Sequence, residues 1–136
     1  MSMEEVKEFM REVGWGALAT TDGEKVGVRP MGGWAWIGTE LWCASGSSSD
    51  KIAHLRKVPY ASYCFASPEG KHVRIAGPCT VSTENGDKRK LYDANPILRN
   101  FIQDPASPEY VVIRLRPEAI RFMRSMDMTY SEIKLD

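Results

Sequence analysis

Short segments rich in β-branched and aromatic residues follow one another in this chain with very few residues between them. WGALATT (15–21) is separated from the next such segment (25–38) by the turn TDGE, and LWCAS (41–45) follows after one more short turn. Neighbouring parallel strands need a crossover of a dozen or more residues, usually a helix. The spacing therefore argues against a doubly wound α/β sheet and predicts a mainly β, antiparallel fold.

Four more segments of the same kind occur later in the chain. Residues 60–67 and 71–82 flank the turn PEG as a hairpin, and residues 110–117 and 118–124 complete the series. Together with the first three, they predict a small antiparallel barrel of six or seven strands. The interior of so small a barrel is filled by side chains, so a ligand would lie on its outside or between two copies of the chain.

Helices are expected at the edges of this barrel. Residues 3–13 carry one apolar stripe and begin with a capping box at Ser2. Residues 51–58 have the spacing of a short helix, and residues 84–102 are mostly helical with a break near Pro96.

Composition narrows the range of partners. The length of 136 residues suits one domain over residues 1–136, and 18 basic residues balance 18 acidic ones, so no net charge draws the protein to nucleic acid or to an anionic membrane. The N-terminal MSMEEVKEFM lacks the features of a secretory signal and no segment has the length of a membrane span, so we expect a cytoplasmic protein.

The spacing of Cys43, Cys64, Cys79 and the two histidines is not that of metal ligands. We expect reduced thiols in or near the core and no metal.

The stretch GSSSDK (46–51) places Lys51 in the first turn of the short helix. The N-terminus of a helix carries a partial positive charge, so a lysine there is unfavourable unless an anion lies nearby. With Arg29 on a strand and Ser45 at a strand end, the stretch offers a guanidinium, hydroxyls and backbone amides suited to a phosphate monoester. The alternative, which spacing alone favours, is that the serines are ordinary helix caps beside a solvated lysine.

Four longer stretches resemble a known family in their order and spacing. They are GALATTDGEKVGVRPM, LWCASGSSSDKIAHLRKVPYASYCF, HVRIAGPCTVS and DPASPEYVVIRLRP, and together they cover about residues 10–120. They are similar to the FMN-binding split β-barrel proteins related to pyridoxamine 5'-phosphate oxidase, particularly the short general-stress-protein branch. The resemblance implies a six- to seven-stranded antiparallel split β-barrel with FMN as its cofactor, and a homodimer with FMN at the interface.

The resemblance also assigns flavin-binding roles to individual residues. The arginine that lines the flavin falls on Arg29, the hydroxyl at the end of the next strand on Ser45, and the phosphate-binding lysine six residues later on Lys51. The full set that it implies is Arg29, Pro30, Met31, Trp34, Ser45, Ser49, Lys51 and His72. Asp50 stands where the family often has a basic residue, which leaves the phosphate with one fewer positive partner.

Two members of this set have ordinary explanations as well. His72 stands where the oxidases have a glutamine, but a lone polar residue just after a turn is more often a solvent-facing strand residue. Trp34 shares one face of its strand with Trp36, and the four tryptophans of a barrel are not by themselves a flavin signature, since Trp15 and Trp42 can simply fill the core or a dimer interface.

The resemblance implies a flavin-dependent oxidoreductase whose small-molecule substrate is unknown. The alternative is a flavin-binding protein without turnover, acting as a flavin store or as a redox or stress sensor. The oxidases themselves bind their substrate with a C-terminal arginine and histidine motif; this chain ends in RFMRSMDMTYSEIKLD, so we do not expect pyridoxamine 5'-phosphate oxidation. Related barrels bind haem or a deazaflavin, and for haem only His54 and His72 offer an imidazole.

Overall fold

The computed structural model describes residues 2–125 and 128–135. The helices in these ranges are α1 (Met3–Val13), α2 (Asp50–Lys57), α3 (Asn85–Ala94) and a 3₁₀ helix (Pro96–Asn100). The strands are β1 (Gly16–Thr21), β2 (Val26–Met31), β3 (Trp34–Ile37), β4 (Glu40–Gly46), β5 (Tyr60–Ala66), β6 (His72–Ser82), β7 (Tyr110–Leu115), β8 (Ala119–Met123) and β9 (Ser131–Glu132). None of the described helices is long and apolar enough to cross a membrane.

The strands form a curled antiparallel sheet in the order β2-β1-β5-β6-β7-β4-β3, with β8 paired to β6 and β9 to β8. Strand β6, with 11 residues, joins the two halves of the barrel. Its first part pairs with β5 and β8, and its second part pairs with β7. The predicted mainly β class and split-barrel architecture are confirmed.

The described residues contain nine strands, whereas the sequence predicted six or seven. The segment 25–38 was expected as the middle strand of a meander, but the chain breaks at Gly32 and Gly33 into β2 and β3, which lie at opposite edges of the sheet. A Cβ on Gly33 would lie only 2.7 Å from the Leu98 side chain, so the chain passes against the 3₁₀ helix where it changes direction. The meander was therefore wrong, and the short β9 supplies the remaining extra strand.

The predicted helices are confirmed with small shifts at their ends. The Ser2 hydroxyl accepts a hydrogen bond from the Glu5 N–H at 3.3 Å, as a capping residue does, and Gly14 ends α1 with a φ of 90°. Helix α2 begins one residue earlier than expected, at Asp50. Helix α3 ends at Ala94, before the predicted break.

Side chains fill the interior of the barrel, as its small size requires. Tyr63, Phe65 and Phe122 are the largest of the fully buried side chains. Cys43 and Cys79 are buried, Cys64 is half-buried, and all three are free thiols, as predicted. A bulky ligand must therefore bind outside the barrel interior.

An ion-pair cluster ties β4 to β7 and α3. The Arg114 guanidinium lies 2.9 Å from a Glu40 carboxylate oxygen and 3.1 Å from one of Asp87, and the Trp42 indole N–H donates to Glu40 at 2.8 Å. Burial alone would raise the pKa of Glu40, but the hydrogen bonds from Arg114 and Trp42 outweigh it and hold that pKa below its usual value.

The depressed pKa of Glu40 predicts a dependence of stability on pH. A carboxyl group whose pKa is lower in the folded chain stabilises the fold above its unfolded pKa, and this contribution is lost as the pH falls through the folded value. We expect Glu40→Gln to reduce the free energy of unfolding by up to about 1 kcal/mol at pH 7. The difference from wild type should shrink below pH 4.5, the ordinary pKa of the group. Urea denaturation across this pH range, with the exposed Glu24→Gln as control, checks it; a difference independent of pH would contradict it.

Candidate functional site

A groove of about 1020 Å³, the main groove, opens on the surface where β2 ends. One wall is formed by residues 30–33 and 44–48, and the other by Leu98 and residues 101–104 and 107–110. Its size lies at the upper end of small-molecule sites. The titratable side chains among its described lining residues are those of Asp104, Glu109 and Tyr110. Of the predicted site residues, Pro30, Met31 and Ser45 line it directly.

The serine loop, residues 46–49, connects this groove to helix α2. Ser45 just before it is 8% exposed, and its hydroxyl lies 2.9 Å from that of Ser49. Ser49 occupies the N-cap position of α2, but its side chain makes no capping hydrogen bond. The two hydroxyls pair with each other instead, so the interpretation of these serines as ordinary helix caps does not describe Ser49.

Arg29 lies on the face of β2 opposite the exposed Val26 and Val28, as the sequence predicted. Its Nη1 donates to the Thr20 hydroxyl at 2.7 Å and to the Leu18 carbonyl at 3.2 Å. These bonds, and one to the Gly27 carbonyl, all leave from Nη1. In the described residues no carboxylate oxygen lies within 4.0 Å of the guanidinium, so no acidic side chain neutralises its charge there.

Lys51 lies in the first turn of α2 and is half-buried. Burial lowers its pKa, and the positive charge of Arg29 lowers it further, while Cys43 and Asp50 oppose this shift. Within residues 2–125 and 128–135 it too has no carboxylate oxygen within 4.0 Å. Two cations therefore lie near each other with no carboxylate oxygen within ion-pair distance of either in these residues, and an anion would relieve their mutual repulsion.

Thr20 and Gly27, which the sequence did not single out, hold Arg29 in place, and His54, named from the sequence only as a possible haem ligand, contacts Thr20. The Thr20 hydroxyl, on a side chain 2% exposed, accepts from Arg29 and lies 2.8 Å from the His54 Nδ1. A Cβ on Gly27 would lie 2.5 Å from the Arg29 Nη2, so glycine leaves the space that the guanidinium occupies. The sequence could have identified Gly27, because a residue two positions before Arg29 lies on the same face of the strand. The sequence could not have identified Thr20 and His54 as partners, because their contacts depend on strand register and on the docking of α2.

The structure brings the predicted residues together only in part. Ser45, Ser49 and Lys51 lie on one continuous segment, and Arg29 is close enough to influence the charge of Lys51. Neither Arg29 nor Lys51 lines the main groove, whereas Ser47 and Ser48 of the serine loop do. The arrangement offers two cations for an anion and, beside the serine loop, a groove whose lining carries the carboxyl groups of Asp104 and Glu109.

Trp34 and His72 do not line the main groove. Trp34 is 9% exposed, its indole N–H donates to the Gly14 carbonyl at 3.0 Å, and its ring meets that of Phe65 edge-on. The Nδ1 of His72 donates to the Gly70 carbonyl at 2.8 Å, which leaves Nε2 to accept from the Tyr130 hydroxyl at 2.8 Å. Within one chain both side chains have structural partners, and their contact with a flavin stays a prediction.

Comparison with known proteins gives a family match over most of the chain. A sequence model of the family described as "Pyridoxamine 5'-phosphate oxidase" matches residues 2–124. No curated protein matches the chain.

Solved structures show where this fold recurs. A NimC/NimA family protein from Clostridium acetobutylicum is 20% identical, with a TM-score of 0.84 over 98% of this chain and 92% of its own. General Stress Protein 26 from Bacillus anthracis is 19% identical, with a TM-score of 0.73 over 95% of this chain and 99% of its own. A pyridoxamine 5'-phosphate oxidase-related, FMN binding protein from Nostoc punctiforme is 12% identical, with a TM-score of 0.68 over 98% of this chain and 96% of its own. At these identities the likeness shows a shared fold.

Proposed function

Because the chain belongs to the pyridoxamine 5'-phosphate oxidase family, we propose that it binds FMN and acts as a flavin-dependent oxidoreductase on a small molecule. The observation that carries this proposal is the pair of neighbouring cations, Arg29 and Lys51, neither of which has a carboxylate oxygen within 4.0 Å in the described residues; Lys51 lies in the first turn of α2, just after the serine loop. A phosphate dianion would neutralise both and accept hydrogen bonds from serine hydroxyls. The main groove is large enough for the ring system attached to that phosphate.

Bound FMN would supply the redox chemistry, and the protein would supply binding, orientation and the electrostatics around the ring. Gly32 leaves part of the groove wall without a side chain, and a Cβ there would have no neighbour closer than 3.9 Å, so a flat ring could approach the backbone at this residue. On the opposite wall the Tyr110 hydroxyl donates to the Lys88 carbonyl at 2.7 Å, and burial raises its pKa. Proton exchange with a ligand would therefore use Asp104, Glu109 or water.

A second candidate is a flavin-binding protein without turnover, which would store flavin or sense redox state. One observation favours it: among the described residues that line the main groove there is no histidine, cysteine, lysine or arginine. Such a groove offers few groups to bind or protonate a substrate.

One experiment separates these candidates. The purified chain, reconstituted with FMN and freed of excess cofactor, is mixed anaerobically with NADH or NADPH while the visible flavin absorbance is followed. An enzyme should lose that absorbance and regain it over repeated cycles when oxygen or a dye is added. A flavin band that persists with both reductants supports the non-catalytic alternative, and protein that retains no flavin overturns both.

We propose in addition that the working unit is a homodimer with FMN at its interface. One chain provides only part of an enclosure, because the main groove is open to solvent and Phe101 at its mouth is 77% exposed. Val26 and Val28 on the edge strand β2 are 71% and 65% exposed. Apolar side chains exposed in this way are suited to an interface, and one two-fold contact would complete two sites at once.

This proposal predicts that flavin binding and association are linked. A ligand that contacts both chains stabilises the dimer by mass action, so FMN should shift dissociation to lower protein concentration. Sedimentation of the flavin-free and FMN-loaded chain over a dilution series measures the shift. Val28→Glu should favour the monomer, whereas Thr80→Glu, an exposed position on β6, should not. A flavin-saturated monomer would rule the shared site out.

A further inference from the structure

A second groove, the side groove, lies between α1, the start of β1 and the end of β5, and has a volume of about 580 Å³. Its lining is mostly apolar and aromatic, including Phe9 and Trp15. That volume lies within the range of sites for small organic molecules, although the groove is open to solvent on one side.

Two features of the lining are left unsatisfied in the chain alone. The indole of Trp15 is 58% exposed, which leaves a large apolar surface in water. The Ser67 Oγ is buried and, over residues 2–125 and 128–135, is the one buried side-chain nitrogen or oxygen without a hydrogen-bond partner. A buried hydroxyl without a partner is unfavourable, and both groups belong to the lining of the same groove.

The charge of the side groove is negative. Glu12 and Glu69 contribute its ionisable carboxyl groups, and in the described part of the chain neither has a basic side chain within 4.0 Å. No lysine, arginine or histidine is among the described lining residues; the Lys71 ammonium lies 5.1 Å from the centre of the Phe9 ring but is not part of the lining. Such a groove would attract a cation and repel the phosphates of a dinucleotide.

We propose that the side groove binds a monocationic aromatic molecule of the arylalkylamine class. The aromatic ring would pack on the Trp15 indole, and the ammonium group would lie towards Glu12 and Glu69. Pro30 lines both grooves, so such a molecule would be a neighbour of any ligand in the main groove. That the side groove is the substrate subsite of a flavin enzyme rests on the proposed function. That the side groove binds an arylalkylamine does not rest on it.

Three probes of similar size and different charge test this proposal. Calorimetric titration of the flavin-free full chain with 2-phenylethylamine, 2-phenylethanol and 3-phenylpropionate should give tightest binding for the cation, by at least about tenfold over the anion. Glu12→Gln with Glu69→Gln should abolish that preference, and Glu24→Gln, an exposed carboxyl elsewhere, should preserve it. Trp15→Ala should weaken the amine and the alcohol alike.

Other outcomes would overturn the proposal. These are equal affinities for the three probes, a charge preference that survives the double glutamine variant, or binding unaffected by Trp15→Ala. Failure of all probes to bind, together with a monomer in sedimentation of Trp15→Ala, would show that a second copy of the chain covers the groove. FMN titration of the same proteins distinguishes a failure of this inference from a failure of the proposed function. If FMN binds normally but the three probes show no charge preference, only the inference about the side groove is wrong.

Discussion

The double variant Arg29→Ala/Lys51→Ala is expected to lose FMN affinity by roughly 3 to 5 kcal/mol, and each single variant by roughly 1.5 to 3 kcal/mol. The combined loss should be smaller than the sum, because both cations would act on one phosphate. The flavin-free fold should survive, since neither cation forms an ion pair within 4.0 Å among the described residues and their mutual repulsion would be removed. Titration followed by flavin fluorescence gives the affinities.

A lysine outside the site provides the matched control. Lys25 is exposed in the turn between β1 and β2, and Lys25→Ala should bind FMN like wild type. If Lys51→Ala also bound FMN like wild type, Lys51 would be a solvated residue of the first helical turn. The stretch 46–51 would then serve only to begin α2.

Gly77→Ala is expected to destabilise the fold by about 3 kcal/mol or more, because the methyl group would overlap a backbone atom that cannot rotate away. Gly77 lies in β6 where the connection from β7 to β8 passes over it, and a Cβ there would overlap the Arg116 carbonyl. The crossing is fixed on both sides: the Arg116 N–H donates to the Pro78 carbonyl at 3.0 Å and the Glu118 N–H to the Ala76 carbonyl at 2.8 Å.

Gly86→Ala is the control for this substitution. Gly86 lies in α3, and a Cβ there would meet no atom within 4 Å, so alanine should be neutral or should stabilise the helix by up to about 1 kcal/mol. Urea denaturation of both variants measures the difference. Equal stabilities would mean that the β7–β8 connection does not cross β6 at Gly77 as tightly as described.

Local patterns were sufficient for most of the fold. The capping box at Ser2 and the apolar stripe after it gave α1, and the alternation along 71–82 gave the long strand β6. The break at Gly32 and Gly33 was missed because its cause is distant: Leu98 packs against Gly33 from a helix that follows more than sixty residues later. Strand order in a barrel depends on such contacts, which no single segment contains.

The residues of the candidate site also fall into two groups: those that a local sequence pattern predicts and those whose contacts depend on distant parts of the chain. The sequence alone was enough to predict Ser45, Ser49 and Lys51, because they lie on one short segment and their spacing makes them neighbours. The bond of Thr20 to Arg29 requires the β1–β2 register, and its contact with His54 requires the docked α2. The contact of Trp34 with a flavin stays a prediction, and the bond of its indole N–H to the Gly14 carbonyl at the end of α1 is one that sequence patterning does not reveal.

The central claim is that a terminal phosphate is held by Arg29, Lys51 and the serine loop. Titration of the flavin-free chain with FMN, riboflavin and FAD under one set of conditions tests it most directly. The claim predicts that FMN binds at least about a hundredfold more tightly than riboflavin, which lacks the phosphate. FAD should also bind more weakly than FMN, because its adenylate would have to leave through the residues that enclose the phosphate. Equal affinities for FMN and riboflavin, or for FMN and FAD, would contradict it.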